Sequence, residues 1–262
     1  MSEILIMLGG GLAAGVLGGF LGLGGGIILM PLLRFGVGMT PAQAAGTCVL
    51  AVFFTTLGGS YRHFRLGNVR FRPAVPVIVA GALAAIAASL TFHHLAARGY
   101  WLDLGIGIVF SLIAIRMLSE GVFDLIRRPP RVEKHDGIHG PLATKLGIGA
   151  VAGALPGLLG IGTGGILVPA FTFLLKTPIK VAIGVSLACF CLNAMISSSF
   201  KLAQGYIDLQ AALPVCLATL VGANIGALLN GRFSQSTIKL VFGIAFSCIA
   251  LKFIGHAWRG MM

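Results

Sequence analysis

Eight long apolar stretches, at about 4–33, 41–60, 73–92, 101–119, 145–175, 178–200, 210–230 and 237–256, alternate with short polar or basic joints. A helix that spans a bilayer needs about 20 residues. Six stretches have that length and predict single spanning helices. The first and fifth are half as long again, and glycines interrupt both. They predict a helical hairpin: a first arm, a glycine turn, and a shorter arm that returns to the side of entry. Irregular backbone at that depth is tolerated where protein or a cavity surrounds it. Between the fourth and fifth stretches, Arg127-Arg128-Pro129-Pro130-Arg131-Val132-Glu133-Lys134-His135-Asp136 is polar and proline-broken, as expected of a cytoplasmic linker.

The pattern repeats. A shift of 138 residues, without a gap, superposes Gly22 on Gly160, Gly24 on Gly162, Gly26 on Gly164, Ile28 on Ile166, Leu29 on Leu167 and Pro31 on Pro169. The same register superposes Gly46 on Gly184, Gly67 on Gly205, Pro76 on Pro214 and Gly105 on Gly243. The chain therefore divides into an N-terminal repeat, 1–125, a basic linker, 126–144, and a C-terminal repeat, 145–262. With a hairpin that enters and leaves on one side, each half crosses three times, and the halves are inverted. That topology places thirteen basic residues inside, among them Arg62, Arg65, Arg70, Arg72 and the linker, and five outside: Arg34, Arg98, Lys201, Lys252 and Arg259. If every stretch crossed once, the division would be twelve to six. The positive-inside rule slightly favours inversion, and the glycine clusters favour it further. The predicted fold is all-α and polytopic, with two homologous halves as inverted repeats. Each half has a glycine-broken re-entrant hairpin plus three transmembrane helices.

Composition narrows the function. The 262 residues are 57% hydrophobic and 10% charged, with 19 basic and 7 acidic side chains and a net charge of +12; mean hydropathy is +0.98. A soluble domain averages about 25% charged residues. Too few charges are present to cover a soluble surface, which excludes a cytosolic enzyme, a nucleic-acid-binding domain and a disordered chain. The basic residues lie between apolar runs, as topogenic charge facing the cytoplasm and anionic lipid does. Five cysteines lie mostly inside apolar runs, without C-x-x-C spacing or histidine partners, so reduced thiols and no metal are expected. The opening Met1-Ser2-Glu3 lacks the basic start of a secretory signal and is expected to stay in the mature fold.

Two motifs stand out: Gly22-Leu23-Gly24-Gly25-Gly26-Ile27-Ile28-Leu29-Met30-Pro31 and Gly160-Ile161-Gly162-Thr163-Gly164-Gly165-Ile166-Leu167-Val168-Pro169. The second matches a dinucleotide fingerprint in spacing. No acidic residue occurs between Asp136 and Asp208, however, and the setting is apolar, so no nucleotide cofactor is expected. The helix resuming at Ile27 or Ile166 offers unpaired N–H groups and a partial positive charge, to which an anion can bind. A lysine or arginine at the same depth costs at least about 2.5–3.5 kcal/mol. Gly11, Gly15 and Gly19, like Gly149, Gly153 and Gly157, have the small-residue spacing of close helix packing.

With these motifs, the aliphatic run ending in proline and the basic loop between halves, the sequence resembles the sulfite exporter TauE/SafE family, also called the toluene sulfonate uptake permease family, over nearly the whole chain. The resemblance implies a small membrane transporter of sulfur-containing or organic anions such as sulfite, sulfonates and sulfoacetate. Members commonly carry a Thr-Ser pair early in the segment after each hairpin. Here the pairs are Thr47-Cys48 and Val185-Ser186, a departure that disturbs symmetric roles.

The candidate substrate-binding residues are Gly22, Gly24, Gly25, Gly26, Ile27, Thr47, Cys48, Gly160, Gly162, Thr163, Gly164, Gly165, Ser186 and Asn193. For Thr47, Cys48 and Ser186 the competing reading is a bond to their own helix; for Asn193 it is an interhelical hydrogen bond. Arg34 reads as a snorkelling boundary residue or a vestibule charge. Buried acids that would couple transport to protons are lacking. An inside-negative potential drives an anion outward by about 2.3 kcal/mol per charge per 100 mV, about fiftyfold. The expectation is therefore a multi-pass inner-membrane exporter, not an enzyme, with no cofactor. Its partners are a small anionic substrate and lipid, without nucleic acid, and a monomer or a homodimer remains open. The alternatives are proton- or sodium-coupled uptake of the same anions, a membrane enzyme of sulfur chemistry, and a scaffold.

Overall fold

The computed structural model describes residues 2–126, 138, 140–162, 164–229 and 235–261. The linker at 127–137 and Thr163 lie outside these. The described residues form ten helices: α1 (Ser2–Leu21), α2 (Gly26–Pro31), α3 (Pro41–Arg65), α4 (Phe71–Ala96), α5 (Gly99–Ile126), α6 (Leu142–Leu159), α7 (Gly164–Pro169), α8 (Ile179–Ala203), α9 (Leu209–Leu229) and α10 (Gln235–Met261). Seven, α1, α3, α4, α5, α6, α8 and α9, contain apolar runs long enough to cross a membrane.

Helix boundaries recur at the 138-residue offset. The ranges of α2 and α3 shifted by 138 are those of α7 and α8. In both α2 and α7 the sixth residue is proline, and the chain continues in a widened turn, Leu32–Gly36 and Ala170–Leu174. There Val37 N–H donates to Leu32 and Leu175 N–H to Ala170, five residues back. α3 starts sharply because Thr40 and Gln43 form a capping box and Pro41 fills the first turn. Its counterpart α8 starts after Pro178 without a side-chain cap.

Contacts at glycines define helix directions. Gly18 of α1 packs on Gly25, and Gly10 on Leu32, so α2 turns back along α1. Gly11, Gly15 and Gly19 face Val215, Thr219 and Ala223, so α1 and α9 run parallel. Gly149, Gly153 and Gly157 face Val77, Gly81 and Ala88, so α6 and α4 do too. These six glycines admit the neighbouring backbone, as their spacing predicts. α5 and α10 run antiparallel: Gly107 meets Ile254 and Gly121 meets Leu240, and Phe110 stacks on Phe253 at 5.8 Å between centroids. α3 and α8 are the most buried of the long apolar helices, and the glycine turns are held between them.

Candidate functional site

The two glycine turns meet in the interior. Gly22, Gly24, Gly25 and Gly160 take positive φ, +72°, +71°, +73° and +67°, a conformation other residues adopt only at a cost. A Cβ on Gly26 would meet the backbone N of Gly162, one on Gly162 the carbonyl of Leu23, and one on Gly164 the carbonyl of Gly22. The turns thus touch main chain to main chain. Gly22 through Ile27 are buried, as are Gly160, Gly162, Gly164 and Gly165.

At the start of α2 the Gly25 carbonyl accepts from the N–H groups of Ile28 and Leu29. Gly26 and Ile27 come before any helical acceptor, so their N–H groups belong to the unpaired set at a helix start. Cys48 lies against this start, its Sγ donating to the Gly26 carbonyl at 3.6 Å. Thr47 points away, its hydroxyl accepting from Asp208 N–H at 3.2 Å in the loop before α9. Ser186 donates to Ile183 of its own helix. Asn193 is buried between α8 and α4 beside Gly81, and its Oδ1 has no protein partner.

Residues not singled out from sequence complete the surroundings. Phe190, fully buried, rests against both Gly24 and Gly162. On the other side a cleft lined by Leu23, Arg116, Glu120, Gly164, Gly165 and Thr172 reaches the start of α7. Arg116 and Glu120 form an ion pair at 2.7 Å. The cleft lies toward the end of the bundle where α5 finishes and α8 begins. Arg34 is no unpaired vestibule charge. It bonds both oxygens of Asp103, at 3.1 and 2.9 Å, and the Met39 carbonyl.

Lys201 differs most from its sequence reading, which put it among the flanking charges. It is fully buried. Its Nζ donates to the carbonyls of Pro156 at 3.0 Å and Gly157 at 2.6 Å, in the last turns of α6, where the helix dipole favours a cation. The same Nζ lies 4.1 Å from the centre of the Phe92 ring. The 138-residue register puts His63 at the equivalent position on α3. It is also buried, with Nδ1 3.3 Å from Asn68 Nδ2. A hint existed in sequence: the repeat sets a basic or titratable side chain at one place in both halves.

The bundle of long apolar helices, with two main-chain turns meeting inside it, defines a polytopic α-helical membrane protein. The profile of the family described as "Sulfite exporter TauE/SafE" matches residues 7–253. The chain belongs to that family of membrane transporters, and seven of its described helices are long and apolar enough to cross a membrane. A "Probable membrane transporter protein" of Xylella fastidiosa is 28% identical over all of this chain and 99% of its own length. The "Probable membrane transporter protein YunE" of Bacillus subtilis is 26% identical, covering 96% of each chain. The "Sulfite exporter TauE/SafE family protein 1" of Arabidopsis thaliana is 29% identical over 44% of this chain and 26% of its own. No solved structure matches.

Proposed function

We propose that the protein exports small sulfur-containing anions, such as sulfite, sulfoacetate or other sulfonates, across the cell inner membrane by alternating access. The observation that carries this reading is the main-chain contact between the turns at 22–26 and 160–165, in the interior of an apolar bundle. Helix starts at Gly26-Ile27 and Gly164-Gly165 supply neutral donors for an anion without the cost of an unpaired charge at that depth. The candidate ligands are Gly22, Gly24, Gly25, Gly26, Ile27 and Cys48 from the first half and Gly160, Gly162, Thr163, Gly164 and Gly165 from the second. Thr47 and Ser186 join them only after a change of partner, and Asn193, whose Oδ1 has no protein partner, lies beside Gly81 of α4.

Inverted halves are the companion reading. Antiparallel α5 and α10, parallel α1 and α9, and parallel α4 and α6 support it, since each relation follows if the second half is the first turned over in the membrane. In this arrangement α1–α2 and α6–α7 are re-entrant from opposite sides. The turns are packed against each other, so the anion gains them when one half rocks against the other. The cleft at Arg116 and Gly165 supports an approach from the side of the basic linker.

The test is anion flux in proteoliposomes loaded with sulfite, sulfoacetate, thiosulfate, sulfate or a carboxylate. Efflux of sulfite or a sulfonate, accelerated by an inside-negative potential, is expected. Flux that instead needs a proton or sodium gradient would turn the reading to uptake; no flux and no binding across the panel would end it.

A further inference from the structure

Of six buried side-chain polar atoms without a protein partner among the described residues, two, Arg62 Nε and His63 Nε2, lie on α3, and the other four gather in one seam. The four are Ser89 Oγ on α4, Asn193 Oδ1 and Ser197 Oγ on α8, and Gln204 Oε1 just beyond it. Ser89 and Ser197 have no exposed surface, and Asn193 has 1%. Each unmet buried group costs about 1–3 kcal/mol, so such a row within one seam calls for a chemical reason. Asn193, Ser197, Lys201 and Gln204 follow at spacings of four, four and three residues, which places them on one face of α8. That face is turned to α4 and α6: Gly81 abuts Asn193, Gln204 donates to the Ser89 carbonyl, and Lys201 sits over Phe92 and on Gly157. Gly157 also abuts the backbone of Ser89, so Ser89 and Lys201 converge on the same point of α6.

The second observation is charge. Lys201 forms no ion pair with any described carboxylate. Asp103 is bound to Arg34, Glu120 to Arg116, and Asp208 caps α9 through the N–H groups of Gln210 and Ala211. A buried ammonium without a counter-charge is costly. Its partners are the carbonyls of Pro156 and Gly157 and the face of the Phe92 ring, none of which carries a full negative charge. Two hydroxyls that lack partners, beside a buried lysine without a carboxylate partner among the described residues, are the complement of a small oxyanion.

We propose that Lys201, Ser89 and Ser197 form an oxyanion-binding station that adjoins the second glycine turn on its side remote from the basic linker. The proposal rests on the export reading and names the residues by which the anion leaves. The path starts at Phe190, which touches both turns, and runs along Asn193 and Ser197 to Lys201. The Lys201 ammonium shares the Pro156 carbonyl with the Gly160 N–H, at 3.0 and 3.1 Å, which sets the station beside the second turn. At the station the anion accepts from the ammonium and the two hydroxyls and neutralises the buried charge.

Sulfite binding to the purified full-length protein, read by calorimetry together with the melting midpoint of the ligand-free protein, tests this. Lys201→Met is expected to weaken binding about thirtyfold, the scale of a hydrogen bond to a charged group. Ser89→Ala combined with Ser197→Ala is expected to weaken it about tenfold while the ligand-free midpoint holds or rises, because unmet buried hydroxyls are removed. The double variant decides the matter if Lys201→Met does not fold. Unchanged affinity in the double variant, or a Lys201→Met protein that melts earlier but binds sulfite as wild type does, overturns the station and leaves the export reading standing. A wild-type protein that neither binds nor transports any anion of the panel overturns both.

Discussion

The seam between α4 and α8 and its counterpart between α9 and α3 share a scaffold but not a chemistry. In the 138-residue register Thr55 stands for Asn193, Gly59 for Ser197, His63 for Lys201, Leu66 for Gln204 and Ala227 for Ser89. Thr55 spends its hydroxyl on the Ala51 carbonyl of its own helix, and Thr219 spends its own on Ala51 and Cys216. In one seam the hydroxyls are spent on carbonyls, and the buried polar atoms without partners are Arg62 Nε and His63 Nε2; in the other a buried lysine stands beside a row of hydroxyl and amide oxygens that lack partners. Duplication preserved the backbone contacts, which depend on small residues at i and i+4, and released the polar face of each helix to diverge.

The halves can be separated experimentally, and the largest effect belongs to the turns they share. Gly24→Leu and Gly160→Leu should each reduce sulfite flux to background in folded protein, since the first drives a side chain at φ +71° into Phe190 and the second one at φ +67° into the Ala45 carbonyl. Flux surviving in either variant would mean that the halves do not need both turns. Next is the clamp found only in the first half. Asp103→Asn strands Arg34 and should cost about 3 kcal/mol, read as a lower melting midpoint in detergent. Thr172, which replaces Arg34 in the second half, should tolerate Val with less than half that loss. An equal response at the two positions would deny that the first hairpin alone is pinned by charge.

Smaller effects sharpen the comparison at the ends of helices. Thr40→Ala removes the cap of α3 and should destabilise by about 1 kcal/mol, whereas α8 begins at Pro178 with no such bond to lose. Lys176 has φ +48° where its counterpart Gly38 has +81°. Lys176→Gly should therefore raise the melting midpoint slightly, gaining at most about 1 kcal/mol. A lower midpoint would show that the lysine side chain outweighs its backbone strain.

Much of the fold was legible because its signals are local. Apolar runs of bilayer length mark the helices, and the glycines at 22–26 and 160–165 mark both turns, as the structure shows. Gln43, an amide near a membrane boundary, is the partner of Thr40 in a cap. Thr47 and Ser186 were singled out for hydroxyls that the structure commits to Asp208 and Ile183. The ambiguity was physical: a hydroxyl beside a helix carbonyl has the same sequence whether it serves that helix or a ligand.

Sequence alone determined the helical class, the duplicated register, the joints and the two main-chain kinks, since hydrophobic length and glycine conformation are properties of neighbours along the chain. Tertiary structure alone decided which side chains meet. It joined Arg34 to Asp103 across 69 residues, seated Phe190 on both turns and drew Lys201 out of the boundary charges onto the carbonyls of α6. A basic residue at a helix end reads the same in sequence whether water or another helix faces it, and only packing between helices distinguishes the two.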